Sequence, residues 1–295
     1  MKKAWLILVG LVLIVSSCSK SEYFVDKKVY YRGIELYKKG EYDDAKDYLK
    51  EAIYKAKGLT TEELMYARYY LANIYYKDEN YVDAIVEFEE FLSLFPTSPL
   101  VPEVLYKLAD SYLKVSPDPD RDLTYSKKAL EKAEELVSKY LNSKYTEKAK
   151  EIIKKVKEIE IKHYENIAYL YNRLGKYYSS ARYYQYILDE YSNYVDKDRI
   201  KLLKAKNLLK VKYQYEDEIK EINEKIKEID RKIREAKNPE EKKVLQNRKK
   251  LYKKHLDKLL NRIREGKREA IQILNELSEN SKYKYEAKNL LREVK

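Results

Sequence analysis

Residues 66–99 read YARYYLANIYYKDENYVDAIVEFEEFLSLFPTSP. The stretch predicts two short helices joined by a tight turn. Ala72 is small, and Tyr75 follows three residues later. Ala84 falls twelve after Ala72, Phe88 four beyond that, and Phe91 three further, and Pro96 closes the unit. Small residues at these places let two helices approach closely, and the aromatics fill the gaps against neighbouring hairpins. One such hairpin cannot bury its own apolar face, so more of them are expected on either side.

They are found. Gly33, Leu36, Ala45, Leu49 and Ala52 form a unit before it, again with twelve residues between the small positions. Leu105, Ala109 and Tyr112 pair with Ala129, Ala133 and Leu136 after it, with eight extra residues in the turn SPDPDRDL, where Asp122 is a candidate N-cap. A long lead helix from about Tyr145 brings Tyr164, Ala168 and Tyr171, then Gly175, Ser180, Tyr184 and Ile187. Ala205 and Leu208 open a fifth unit whose second half, Ala270, Leu274 and Leu277, arrives 65 residues after Ala205. The spacing is that of the tetratricopeptide repeat. The fold class expected is therefore all-α: a right-handed superhelix of about five helix pairs, with an insertion in the last. Only six glycines and six prolines against 38% charged residues agree with long helices and exclude a β-rich fold.

The insertion, 212–265, has its own pattern. Tyr215, Ile219, Ile222, Ile226, Ile229 and Ile233 step by four and three, a heptad seam on one helix. Asn238-Pro239 interrupts it, and Leu245, Tyr252, Leu256, Leu259 and Ile263 return at comparable spacing. The outgoing segment 216–236 has eight acids and six bases, whereas 240–264 has three acids and ten bases. Opposite bias suits antiparallel neighbours. The region reads as a coiled-coil hairpin arm, about 37 Å long for ~25 residues per helix, that extends the two helices of repeat five outward. A single long helix that dimerises with another chain is the alternative.

The start of the chain is a targeting segment. Lys2 and Lys3 precede an apolar run from Ala4 to Val15, which is too short to span a bilayer. Val15-Ser16-Ser17-Cys18 then resembles a bacterial lipobox, which makes 1–17 a signal peptide, Cys18 the acylated first residue and 18–25 a tether. An ordinary secretory signal with an incidental cysteine is the alternative. Cys18 is the only cysteine, so no disulfide can form within the chain. Ser19 rather than aspartate, by resemblance to proteobacterial lipoproteins, points to the outer membrane.

Catalytic material is sparse. The two histidines, His163 and His255, are far apart among charged residues, poor stock for a metal site or a histidine-based nucleophile. No glycine-rich phosphate loop occurs. No segment outside the repeats is left to form an enzymatic cleft. No catalytic residue, metal or cofactor is expected. The net charge of +12 and 33 tyrosines could suit nucleic acid, but the excess charge lies in the arm and the leader exports the chain, so no nucleic-acid partner is expected. The arm's basic side suits anionic head groups or an acidic protein; a solvated face is the alternative. The inner face of stacked helix pairs usually receives peptides. Tyr30, Tyr37, Tyr69, Tyr76 and Tyr106 are its candidates, with packing between repeats as the alternative for each.

Several stretches resemble one family, the BamD (ComL/YfiO) lipoproteins of outer-membrane β-barrel assembly. FPTSPLVPEVLYKLADSYLK (95–114) resembles the family's link from repeat two to three. DPDRDLTYSKKAL (118–130), with Asp120, Arg121 and Asp122, resembles its enlarged third turn. YLNSKYTEKAKEII (140–153) matches the next link, with Leu141 in place of the usual proline, and 162–191 resembles repeat four. The similarity covers nearly all of 22–211 and resumes at 266–291; the arm departs from the pattern.

The resemblance implies a non-enzymatic lipoprotein of the Bam complex on the periplasmic face of the outer membrane, held there by its lipid anchor. It implies that repeats one to three, 26–143, receive the aromatic-ended C-terminal segments of unfolded barrel proteins. It implies that repeats four and five, 144–295, bind a BamA-like barrel protein through its periplasmic domains. Arg182, Tyr183 and Gln185 are the contact candidates, although the family often has arginine where Tyr183 stands. The alternatives are another periplasmic repeat lipoprotein, such as a secretin pilotin or a division coordinator, and a peptidoglycan-acting enzyme.

Overall fold

The computed structural model describes residues 27–119 and 121–294. The expected signal peptide, Cys18, the expected tether and Asp120 therefore lie outside the described residues. Twelve helices occur among those described. They are α1 (Lys28–Lys39), α2 (Tyr42–Tyr54), α3 (Thr61–Lys77), α4 (Tyr81–Leu94), α5 (Val101–Lys114), α6 (Thr124–Lys139), α7 (Thr146–Arg173), α8 (Tyr177–Glu190), α9 (Lys197–Gln214), α10 (Glu216–Glu235), α11 (Pro239–Asn280) and α12 (Lys284–Val294). The chain is an all-α tetratricopeptide array.

Local chemistry sets the helix ends. Thr60 and Glu63 form a reciprocal capping box at α3, each side chain meeting the other's backbone N–H. Asn80 caps α4 and Asp196 caps α9. Gly40 closes α1 at φ 83°, a left-handed value that side chains resist. Asp122 serves α6 one residue earlier than a cap would. Its carboxylate accepts from the Thr124 N–H at 3.1 Å and the Thr124 hydroxyl at 2.8 Å.

Packing follows the repeat signature. Ala72, Ala84, Phe88 and Phe91 are fully buried, as are Ala45, Leu49, Ala109, Ala129, Ala133 and Leu136. Each phenylalanine removed from water contributes about 1.5–3 kcal/mol. Gly33 marks the closest approach of α1 and α2. A Cβ there would stand 3.0 Å from Leu49 Cγ and 3.3 Å from the Leu49 backbone nitrogen.

Two compact units divide the chain. One holds residues up to 115 with 131–149; the other holds 116–130 with 150 onward. In the second unit, Ile161, Ala168, Tyr184, Ile187, Tyr191 and Ile200 join α7, α8 and α9 in one core. Ala205, Leu208, Ala270, Leu274 and Leu277 join α9 to α11. α12 lays Ala287, Leu290 and Leu291 over that cluster, covering the apolar side that the last hairpin of an array leaves open.

The arm is present. α10 has 20 residues, but α11 has 42, about 63 Å at 1.5 Å per residue. The returning helix continues unbroken as the second helix of repeat five, the outward extension expected of the arm. Gly266 lies within it, where an added Cβ would stand 3.6 Å from Leu208, an ordinary contact. The other leg is interrupted at Tyr215 (φ −109°, ψ 3°) between α9 and α10. The seam closes as expected: Ile222 and Leu259 are buried with Val211 and Tyr215, flanked by Ile219, Ile226, Tyr252, Leu256 and Ile263.

Candidate functional site

The first helices of the early hairpins carry tyrosines, and two on α3 are bonded to α5 about one repeat later. Tyr69 Oη donates to Glu103 Oε1 at 2.8 Å, and Tyr76 Oη donates to Asp110 Oδ2 at 2.6 Å. The Lys107 ammonium lies between them, donating to Glu103 Oε1 at 2.6 Å and also to the Asn73 side chain. The same ammonium stands 5.9 Å from the Tyr69 ring and 5.8 Å from that of Tyr76.

The rings pack in two groups that line a tyrosine wall in the first unit. Tyr37 packs on Tyr42 at 5.4 Å and on Tyr70 at 4.5 Å; Tyr70 in turn meets Tyr66 and Tyr69. Tyr106 stacks on Tyr145 at 5.5 Å and 17°. Two exposed lysines rim the wall. Lys77 lies 4.2 Å from the Tyr42 ring and 5.4 Å from Tyr37, and Lys148 lies 5.3 Å from Tyr106.

Burial dominates the electrostatics. It raises the Tyr30 and Tyr37 phenols to about 12. Burial raises Tyr69 and Tyr76 further, reinforced by their bonds to Glu103 and Asp110. For Glu103 burial alone would raise the pKa, but hydrogen bonds from Lys107, Tyr145 and Tyr69 outweigh it and hold the carboxyl below its usual value. The wall is thus neutral phenols backed by an ionised carboxylate that is already satisfied.

All five predicted tyrosines lie in the first unit. Tyr30 is buried; Tyr37, Tyr69, Tyr76 and Tyr106 are half-buried, with part of each ring exposed. Packing and access are therefore combined in the same side chains. Tyr70, Tyr145, Glu103, Lys107 and Asp110 were not among the candidates. The signal was available: Tyr69 to Glu103, Asn73 to Lys107 and Tyr76 to Asp110 are each separated by 34 residues.

The second set separates. Arg182 and Gln185, on α8, line a groove of about 420 Å³ with Tyr178, Asp189, Lys204 and Glu269. Lys204 is buried at its base, bonded to Gln185 and Glu269. Arg182 is exposed and forms no ion pair with a described residue. Tyr183 points elsewhere, stacking against Tyr171 at 5.4 Å and Tyr164 at 6.4 Å.

Among the described residues, no cluster of three or more His, Cys, Asp or Glu side chains could hold a metal. No described helix is long and apolar enough to cross a membrane. His163 is bonded through Nδ1 to the Pro119 carbonyl, and His255 through Nε2 to Glu218 at 2.8 Å.

Residues 24–222 match the family model YfiO, described as an outer membrane lipoprotein. Over 245 residues the chain is 35% identical to a protein of Aquifex aeolicus (strain VF5) named as an outer membrane protein assembly factor, BamD; the match covers 82% of this chain and 80% of that one. A crystal structure of a tetratricopeptide repeat protein from Parabacteroides merdae ATCC 43184 aligns over 90% of this chain and 97% of its own, at 14% identity and a TM-score of 0.33. At that score the fold assignment rests on this chain's own helices.

Proposed function

This chain belongs to the BamD (YfiO) family of outer membrane lipoproteins, and we propose from that membership that it is a non-enzymatic scaffold and substrate-recognition subunit of outer-membrane β-barrel assembly. In this reading the chain sits on the periplasmic face of the outer membrane, held by acyl chains on Cys18.

The tyrosine wall of α1, α3 and α5 carries the reading. An unfolded barrel protein offers an extended C-terminal segment with alternating apolar residues, an aromatic end and a free carboxylate. Partly exposed rings provide faces for the aromatic end, and backbone groups of the peptide can bond to phenol oxygens. Lys77 and Lys148 at the rim supply the cation for the carboxylate. Nothing here needs a nucleophile or a cofactor, because recognition by such a wall forms no covalent bond.

The groove holding Arg182 and Gln185 is the proposed contact for a BamA-like partner. An exposed guanidinium with no carboxylate of its own can take one from another chain in a bidentate pair. Tyr183 then supports α8 from the opposite side.

The test is a pull-down from detergent-solubilised envelopes with the tagged mature chain. A BamA-like barrel protein should be recovered, and Arg182→Glu should reduce its recovery at least tenfold. Recovery of other proteins without that partner overturns the reading. In parallel, a photo-crosslinker at Tyr106 should capture a peptide ending in an aromatic residue, and amidation of that peptide's C-terminus should weaken capture.

A further inference from the structure

The arm carries surface chemistry that neither the tyrosine wall nor the Arg182 groove uses. On α11 the residues Leu245, Tyr252, Leu256, Leu259 and Ile263 face α10. Lys243, Lys250, Lys254 and Lys258 fall on the opposite side, all exposed. None of the four forms an ion pair with a described residue. No acidic residue occurs between Glu241 and Asp257. Beside this row Val244 is 65% exposed and Leu251 is 70% exposed, one heptad apart.

We propose that this stripe docks the arm onto the anionic phospholipid head groups of a membrane surface. Three features favour a bilayer over an acidic protein. The row is straight, about 22 Å from Lys243 to Lys258 at 1.5 Å per residue, and it lies along one face of a single helix. Its cations are lysines, compact hydrated charges that suit many mobile head groups, whereas fixed carboxylates are better held by arginine forks. Two bare aliphatic side chains flank the charges, as on helices that rest at an interface. The family's tie to the outer membrane keeps such a surface close. The inference goes beyond the assembly reading: the stripe can bind lipid whether or not the tyrosine wall binds peptide.

The test uses the mature chain with Cys18→Ser, so that no acyl chain contributes, and vesicles of phosphatidylglycerol with phosphatidylethanolamine. Co-sedimentation should exceed that on phosphatidylcholine vesicles at least tenfold and should fall as salt rises. Replacing Lys243, Lys250, Lys254 and Lys258 with glutamine should weaken binding on the order of a hundredfold, with the helical circular dichroism unchanged. Replacing Lys225 and Lys232, which are already paired with Glu221 and Glu228 on α10, should have no effect. Equal binding to neutral vesicles, or undiminished binding by the folded fourfold variant, overturns the proposal. So does retention of an acidic protein through the stripe without vesicle binding.

Discussion

Tyr69 Oη donates to Glu103 Oε1 at 2.8 Å, with thirty-four residues of chain between them. The bond links the first helices of two successive hairpins, so it spans one repeat. Tyr76 and Asp110 repeat the arrangement at the same separation.

Removing one hydroxyl therefore loosens a joint between hairpins without touching either hairpin's core. Tyr69→Phe keeps the ring and deletes the donor, while Glu103 retains Lys107. A hydrogen bond to a charged group contributes about 1.5–3 kcal/mol, and this one is only half-buried. Urea denaturation should show a loss of about 1–2 kcal/mol, and a cycle with Glu103→Gln should return a coupling above about 0.5 kcal/mol. Unchanged midpoints for Tyr69→Phe would mean that packing alone joins these repeats.

Two buried glycines should respond in opposite directions. At Gly266 an added methyl meets Leu208 at 3.6 Å, ordinary contact, inside a long helix. Gly266→Ala should stabilise by up to about 1 kcal/mol through helix propensity. At Gly33 the same methyl meets Leu49 at 3.0 Å, so Ala there gains the same propensity but loses it to strain. Gly33→Val should destabilise by about 1–3 kcal/mol, the usual cost of overpacking. Thermal melts of the three variants decide it; a stable Gly33→Val would show that Leu49 yields freely.

The tyrosine wall predicts an alkaline limit. Burial raises Tyr30 and Tyr37 to about 12, above the value of about 10 in an unfolded chain. The folded state thus binds these protons more tightly. The resulting stability is intact below about pH 10 and is lost as pH rises toward 12. Circular dichroism and tyrosinate absorbance should change together in that window. Free titration of the phenols near pH 10, with helicity intact, contradicts the packing described.

The second unit carries an acid limit. Asp196 caps α9 and bonds to Lys282 at 2.7 Å and Tyr283 Oη at 2.9 Å. The Lys282 ammonium does most to hold its carboxyl at about 2, against some burial. A depressed value means stability that is complete above about pH 4 and disappears as pH falls through 2. Asp196→Asn should flatten that slope and free α12 first, seen as faster amide exchange over 284–294. A slope that survives in the variant assigns acid sensitivity elsewhere.

The sequence made the repeats legible because close helix contact admits only small side chains. Ala72, Ala84 and Gly33 thus locate interfaces by themselves. The arm's seam was equally plain, since isoleucines at alternating fours and threes have one helical face to occupy. The polar half of the tyrosine wall was hidden, because Glu103 and Asp110 resemble any surface acids until they are set one repeat after a tyrosine. Tyr183 was grouped with Arg182 by adjacency, yet neighbours on a helix point about 100° apart.

α11 leaves the arm stiff on one leg and jointed on the other. Any push on the arm's tip travels through a single unbroken rod to Ala270 and Leu274 in the core of repeat five, while the second leg is broken at Tyr215. The arm is mechanically a lever with its fulcrum at the repeat. A load borne outside the array would be felt within it, at the same α9–α11 packing that forms one wall of the Arg182 groove.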